Sequence, residues 1–172
     1  VLLSQEIDNA RHYLYIMKIR YEDDLKYEWQ LDDFLNDITV PKLILQPLIE
    51  NCFQHGFHQA GTEILPPWKI RSLHDKNRWY LSIANNGAPF QKEKLSNLRR
   101  KIAGFTFTGN QDMDHESIFR HQGYGLENTI LRLHIYYHGE EYFHVSGNEN
   151  EQTTVTIGGP LKPEKSFSRN SL

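Results

Sequence analysis

The run Pro41–Gly56, PKLILQPLIENCFQHG, limits what this chain can fold into more than any other stretch. Proline suits the first turn of a helix and glycine the position past its end. The run therefore predicts a helix that starts at Pro41 and stops before Gly56. At roughly 100° per residue, Ile44, Leu45, Leu48, Ile49, Cys52 and Phe53 form one apolar arc. Asn51 and His55 lie one turn apart at the margin of that arc, beside Ile44. A polar group at the edge of a buried face either hydrogen-bonds inside the protein or faces something bound there. From this helix alone both readings stay open: a satisfied core amide and imidazole, or a binding pair.

A chain of 172 residues has room for one domain with a sizeable core. Its net charge of −3 creates no strong field for nucleic acid or an anionic membrane, and no nucleic-acid partner is expected. The nine histidines are scattered, with no His/Cys grouping at zinc spacing. The single cysteine, Cys52, sits in the apolar run, so a disulfide framework is excluded and a reducing compartment expected. No apolar stretch approaches the roughly 20 residues that span a bilayer, and there is no signal-peptide pattern. Val1 leads straight into a helical pattern, so a piece of something longer is expected.

In residues 3–21, Leu3, Ile7, Ala10, Leu14, Met17 and Tyr21 recur at alternating steps of four and three. This predicts a helix whose seam packs on a domain or a partner helix. His12 lies off that stripe and reads as an exposed polar residue. Leu25, Tyr27, Trp29 and Leu31 alternate with polar residues as a strand does, until Asp32-Asp33 and Asn36-Asp37 break it. Strands are predicted at 68–74 and 78–85, joined by a turn at Asp75-Lys76-Asn77. Period two puts Asn85 on the same inward face as Trp79, Leu81 and Ile83. Asn86-Gly87 follows, either as a plain turn or as a turn whose glycine lets a ligand approach the backbone.

Residues 91–103 predict a short helix carrying Lys92, Lys94, Arg99, Arg100 and Lys101. Residues 104–122 are polar and aperiodic, the mark of a functional or disordered loop. Gly123-Tyr124-Gly125-Leu126 opens a helix with Leu126, Ile130, Leu133 and Tyr137 on one stripe. Glycines there allow backbone N–H groups to converge on an anion. Gly139 closes this helix, and strands follow at about 141–147 and 152–158. Pro160 ends the fold, and 161–172 is expected to be a disordered tail. The fold class expected is an α+β two-layer sandwich: a mixed, mostly antiparallel sheet with three main helices on one face.

These motifs, in this order, resemble the ATP-binding domain of sensor histidine kinases, within the wider group shared with gyrase, Hsp90 and MutL (the GHKL or HATPase group, with the Bergerat-type fold). The likeness is closest to the YesM/LytS-like kinases. Pro41 through Gly56 is similar to their P-x-L-x-L-Q-P-L-V-E-N-A-x-K-H-G. Gly123 through Leu133 is similar to their G-x-G-L-x-N-x-x-x-R-L. Asn9 through Tyr21 resembles the helix that precedes their domain. The resemblance implies residues 1–24 as the end of a dimerisation and phosphoacceptor helix, and 25–160 as the kinase domain with an ATP lid at 90–122. It implies ATP and Mg²⁺ as cofactors, with Asn51 as the metal ligand and His55 near the phosphates. Asn85, where the family has Asp, would meet the adenine amino group, beside Gly87 and Thr153. Gly123, Gly125 and Leu126 would sit at the phosphates, and Arg99 or Arg100 would reach toward them.

Implied partners are an upstream phosphoacceptor histidine, a response regulator and a second copy in a homodimer. The implied setting is the cytoplasmic side of a membrane-anchored bacterial protein. The acceptor's Pro-His-Phe motif is absent from these residues. Position 47, where the hydrolytic relatives place a Glu base, is proline. Asn85, Gln54 (for Lys) and Gln152 (for Gly) depart from the family pattern. They keep a second reading open, a degenerate nucleotide-site fold acting as a regulatory or interaction module. A serine kinase of the anti-sigma-factor type shares the fold, but the N-terminal helix and Leu45-Gln46-Pro47-Leu48 argue against it.

Overall fold

The computed structural model describes residues 1–57, 66–87, 91–104, 125–147 and 152–161, with only the helical backbone of His55 and Gly56. Helix α1 spans Leu3–Tyr21. Leu3, Ile7, Ala10 and Leu14 are buried, and Met17 and Tyr21 pack half-buried against the same core. The predicted seam is therefore filled by this chain's own domain. Backbone bonds fasten the start of α1 to the segment ahead of α2. The Leu3 N–H donates to the Ile38 carbonyl at 2.7 Å, and the Val40 N–H to the Val1 carbonyl at 2.9 Å. His12 is exposed.

Helix α2 spans Leu45–Gly56, which corrects two expectations. Pro41 does not open the helix, and Gly56 is its last residue rather than the one beyond. Residues 42–44 instead form a bend in which Leu43 has φ 58°. A leucine takes that left-handed conformation only where its surroundings hold it. The surroundings here are two long side chains. The Glu6 carboxylate of α1 accepts the N–H groups of Leu43 (2.9 Å), Ile44 (2.9 Å) and Leu45 (3.1 Å). Arg132 donates through Nη1 to the carbonyls of Lys42 (3.0 Å) and Leu43 (3.3 Å). A helix start carries N–H donors with no partner in the helix. The helix begins where a distant carboxylate satisfies them. The apolar arc is otherwise as read: Ile44, Leu45, Leu48, Ile49 and Cys52 are buried and Phe53 packs on the core.

The strands are β1 (Tyr27–Gln30), β2 (Trp68–His74), β3 (Arg78–Asn85), β4 (Tyr142–Ser146) and β5 (Thr153–Pro160). Between β1 and α2 a short 3₁₀ turn, Asp33–Asp37, interrupts the chain where the acidic residues were expected to do so. Asp75 makes the β2–β3 turn, its Oδ1 accepting the N–H groups of Asn77 and Arg78 at 2.8 Å each. Among the described residues two further helices, α3 (Lys92–Ala103) and α4 (Gly125–Tyr136), precede β4.

The five strands form one sheet in the order β1-β2-β3-β5-β4. Only β1 and β2 run parallel, and the chain passes through α2 between them, as a parallel crossover requires. Trp68, Ile70, Trp79, Leu81, Ile83, Val155 and Ile157 face inward and join the buried helix residues in one core. Alternate positions such as Lys69, Arg71, Tyr80 and Thr156 lie on the outer face. This is the expected α+β sandwich, with α1 as a fourth helix of the layer. The expected loop 104–122 and tail 161–172 lie outside the described residues, apart from Gly104 and Leu161.

Candidate functional site

The ends of β3 and β5 meet α2 at one corner. Asn85 and Thr153 stand directly opposite each other across the two strands. They are only 3% and 2% exposed, the most buried polar side chains of the sheet. Period two explains this: Asn85 continues the inward row of Trp79, Leu81 and Ile83. A buried amide must find partners. Asn85 donates through Nδ2 to the Cys52 Sγ at 3.1 Å and accepts the Gly87 N–H on Oδ1 at 2.8 Å. Thr153 donates its hydroxyl to the Gly87 carbonyl at 3.0 Å. Burial pushes the Cys52 thiol up to about 12, so it is neutral and its sulfur accepts the amide hydrogen. Gln152 pins the outer side of the same turn, donating through Nε2 to Asn86 Oδ1 (2.9 Å) and to the Pro67 carbonyl (3.1 Å).

Asn51 precedes Cys52 on α2. Its amide is half-buried and has no hydrogen-bond partner among the described residues. Glu50, its neighbour, accepts from Gln46 Nε2 at 2.8 Å. Pro47, one turn before Asn51, lies against Gly125, the first residue of α4. A Cβ on Gly125 would stand 3.4 Å from the Pro47 carbonyl oxygen and 3.5 Å from its Cβ, which is ordinary contact. Helix packing alone therefore does not require glycine at 125. Leu126 is buried in the core. Glu127 pairs with Lys101 at 2.8 Å and so ties α4 to α3. Arg99 and Arg100 of α3 are exposed, as is Gln54 of α2.

The structure thus brings Asn85, Gly87 and Thr153 together and joins them through Cys52 to the turn of α2 that carries Asn51. Gly125 and Leu126 approach that helix one turn earlier. Gly123 and the His55 side chain lie outside the described residues. Sequence reasoning missed three contributors. Cys52 was read only as a buried thiol, and nothing local reveals that Asn85 rests on it. Arg132 was part of a motif without a structural task. Glu6 carried the one usable signal, a carboxylate at the margin of an otherwise apolar helix face.

No family model matches the chain. The sensor protein LytS of Oceanobacillus iheyensis is 31% identical over 101 residues, which cover 59% of this chain and 17% of that protein. The sensor protein kinase HptS of Staphylococcus aureus is 24% identical over 161 residues, 94% of this chain and 28% of that protein. The chain therefore spans less than a third of these curated relatives. Among solved structures, the catalytic domain of the histidine kinase ThkA superposes with a TM-score of 0.62 at 17% identity, covering 94% of this chain and 96% of that one. The Acinetobacter baumannii histidine kinase AdeS does so at 0.51 and 16% identity, covering 91% and 65%. The chain is thus similar in sequence to parts of these sensor kinases, and its fold is that of histidine kinase catalytic domains.

Proposed function

We propose that this domain binds Mg-ATP at the α2, β3 and β5 corner and delivers the γ-phosphoryl group to a histidine on an upstream dimerisation segment. The observation that carries the reading is the half-buried Asn51 amide, without a partner among the described residues and one residue from the Cys52 that holds Asn85. An amide oxygen is a hard ligand of the kind Mg²⁺ takes, and Mg²⁺ completes its shell with water and substrate phosphates. Among the described residues no group of three or more His, Cys, Asp or Glu could hold a metal ion. When bound, the metal would neutralise phosphate charge as the phosphoryl group moves.

The chain's own residues then divide the work. Asn51 holds the metal, with His55 beside the phosphates. Asn85, Gly87 and Thr153 hold the base, and Gly123, Gly125 and Leu126 form the edge that closes on the phosphates. Residues 90–122 act as lid, with Arg99 and Arg100 on its exposed helix. That a Cβ at Gly125 would make only ordinary contact with Pro47 supports a glycine kept for a ligand's approach rather than for packing. Pro47 offers no base, and Glu50 is turned about 100° from Asn51 and engaged by Gln46, so phosphoryl transfer is favoured over hydrolysis. Residues 1–24 belong to the dimerisation and phosphoacceptor helix, here seated on the domain, and 25–160 to the kinase domain. The partners are the acceptor histidine, a response regulator and a second copy, on the cytoplasmic side of a membrane-anchored bacterial protein. Among the described residues no helix is long and apolar enough to cross a membrane.

The test is calorimetric titration with ATP and ADP, with and without Mg²⁺, on the chain and on Asn51→Ala. Binding that strengthens with Mg²⁺ and fails in the variant supports the reading. Absence of binding at millimolar nucleotide, in a folded sample, would leave the regulatory or interaction module as the better account. Asn85 and the exposed Gln54 favour that second reading, since neither carries charge toward a nucleotide.

A further inference from the structure

The base corner has an unusual balance of hydrogen-bonding groups. An amide has four hydrogen-bonding positions, two lone pairs on the oxygen and two hydrogens on the nitrogen. Asn85 uses one of each internally: Oδ1 takes the Gly87 N–H and Nδ2 gives a hydrogen to Cys52 Sγ. One lone pair and one hydrogen remain on a side chain that is 3% exposed. The neighbours add no second donor. The Gly87 N–H is spent on Asn85, and the Thr153 hydroxyl spends its hydrogen on the Gly87 carbonyl. Among Asn85, Gly87 and Thr153 the spare acceptors are Asn85 Oδ1, Thr153 Oγ1 and the second lone pair of the Gly87 carbonyl. The single spare hydrogen is on Asn85 Nδ2.

We propose that Asn85 makes this site accept both 6-amino and 6-oxo purine nucleotides. The inference rests on the reading of this corner as the base site. A 6-amino group donates to Oδ1. A 6-oxo group accepts from Nδ2. The two faces of one neutral amide serve both. A carboxylate at this position would keep the first interaction and turn the second into oxygen facing oxygen, leaving a buried acceptor unpaired. Cys52 supports the arrangement: its neutral sulfur holds one amide hydrogen and so steadies the plane of the amide. Specificity here is a difference between two affinities, and the amide lacks the repulsive element that would reject the 6-oxo base.

The experiment uses Mg-ATP and Mg-ITP, which differ at the 6-position and the adjoining ring nitrogen, titrated calorimetrically into the native chain and into Asn85→Asp. An unpaired buried polar group costs about 1–3 kcal/mol, or about 5- to 150-fold in affinity. Native affinities for the two nucleotides within about tenfold, with Asn85→Asp weakening ITP relative to ATP by at least about tenfold, support the proposal. A native chain that binds ATP but rejects ITP by more than about tenfold overturns it and leaves the ATP-binding reading intact. Equal affinities that Asn85→Asp does not separate also overturn it, because another group would then be reading the base. If neither nucleotide binds, the proposed function falls and this inference with it. Should Asn85→Asp fail to fold, the native ratio alone still decides: a ratio within about tenfold supports the proposal, and a larger one overturns it.

Discussion

Glu6→Ala should be among the most damaging substitutions outside the sheet, although Glu6 is a charged residue on the otherwise apolar buried face of α1. The side chain is 5% exposed and its two oxygens take three N–H groups at the start of α2. Ile44 and Leu45 are fully buried, so water cannot replace the lost acceptor at their amides, whereas half-exposed Leu43 can turn to solvent. Two orphaned buried donors cost about 1–3 kcal/mol each. Removing a buried carboxylate also returns its own desolvation cost, which pulls the sum toward the low end, about 3 kcal/mol. With a urea slope near 2 kcal/mol per molar for a domain of this size, the midpoint should fall by about 1.5 M. Glu6→Gln keeps one oxygen for Ile44 and Leu45 and should cost about 1 kcal/mol. Urea unfolding followed by tryptophan fluorescence and by circular dichroism reads both values and checks two-state behaviour. An Ala midpoint within about 0.3 M of native would refute the idea that this carboxylate sets the start of α2. A Gln variant as weak as Ala would show that charge, not the oxygen's position, does the holding.

Gly159→Ala would place a Cβ 2.5 Å from the Tyr137 ring, a ring already fixed by the Trp79 Nε1–H bond to its hydroxyl at 3.1 Å. The expected loss is about 1–3 kcal/mol, read as a lower melting temperature, and an unchanged value would mean the ring moves freely. Gly125→Ala should leave stability equal or raise it by up to about 1 kcal/mol, because its Cβ would make only ordinary contact with Pro47 and alanine favours helix. The same variant should weaken Mg-ATP binding, and unaltered affinity would remove Gly125 from the phosphate site. Cys52, buried and with its thiol held up to about 12, should react with a thiol reagent at pH 8 only as fast as the domain opens, and at once in urea. Rapid reaction in the folded state would contradict the packing of α2 against β3.

The sheet and helices were legible wherever one local period dominated. Strands 68–74 and 78–85 and helix 3–21 coincide with the observed elements because alternate or seven-residue apolar patterns can be buried in only one way. Asn85 was legible for the same reason, as a polar residue in an inward row. The start of α2 was not. Pro41 and Gly56 are local signals, and they lost to Glu6 and Arg132, which act across the chain. The link from Cys52 to Asn85 likewise joins residues with no shared local pattern. That a Cβ at Gly125 meets Pro47 only at ordinary contact needed coordinates, since a glycine at a helix start reads alike whether packing or a ligand requires it.

Mg-nucleotide is proposed to sit at the α2, β3 and β5 corner, with the start of α4 beside α2. Mapping amide chemical shifts of the isotopically labelled chain during titration with Mg-ATP tests it most directly. The account predicts the largest changes at Asn51, Gly87, Thr153 and Gly125 and at the Asn85 side-chain amide, reduced when Mg²⁺ is withheld. No change at millimolar nucleotide, or changes confined to α1 and the outer face of the sheet, would contradict it.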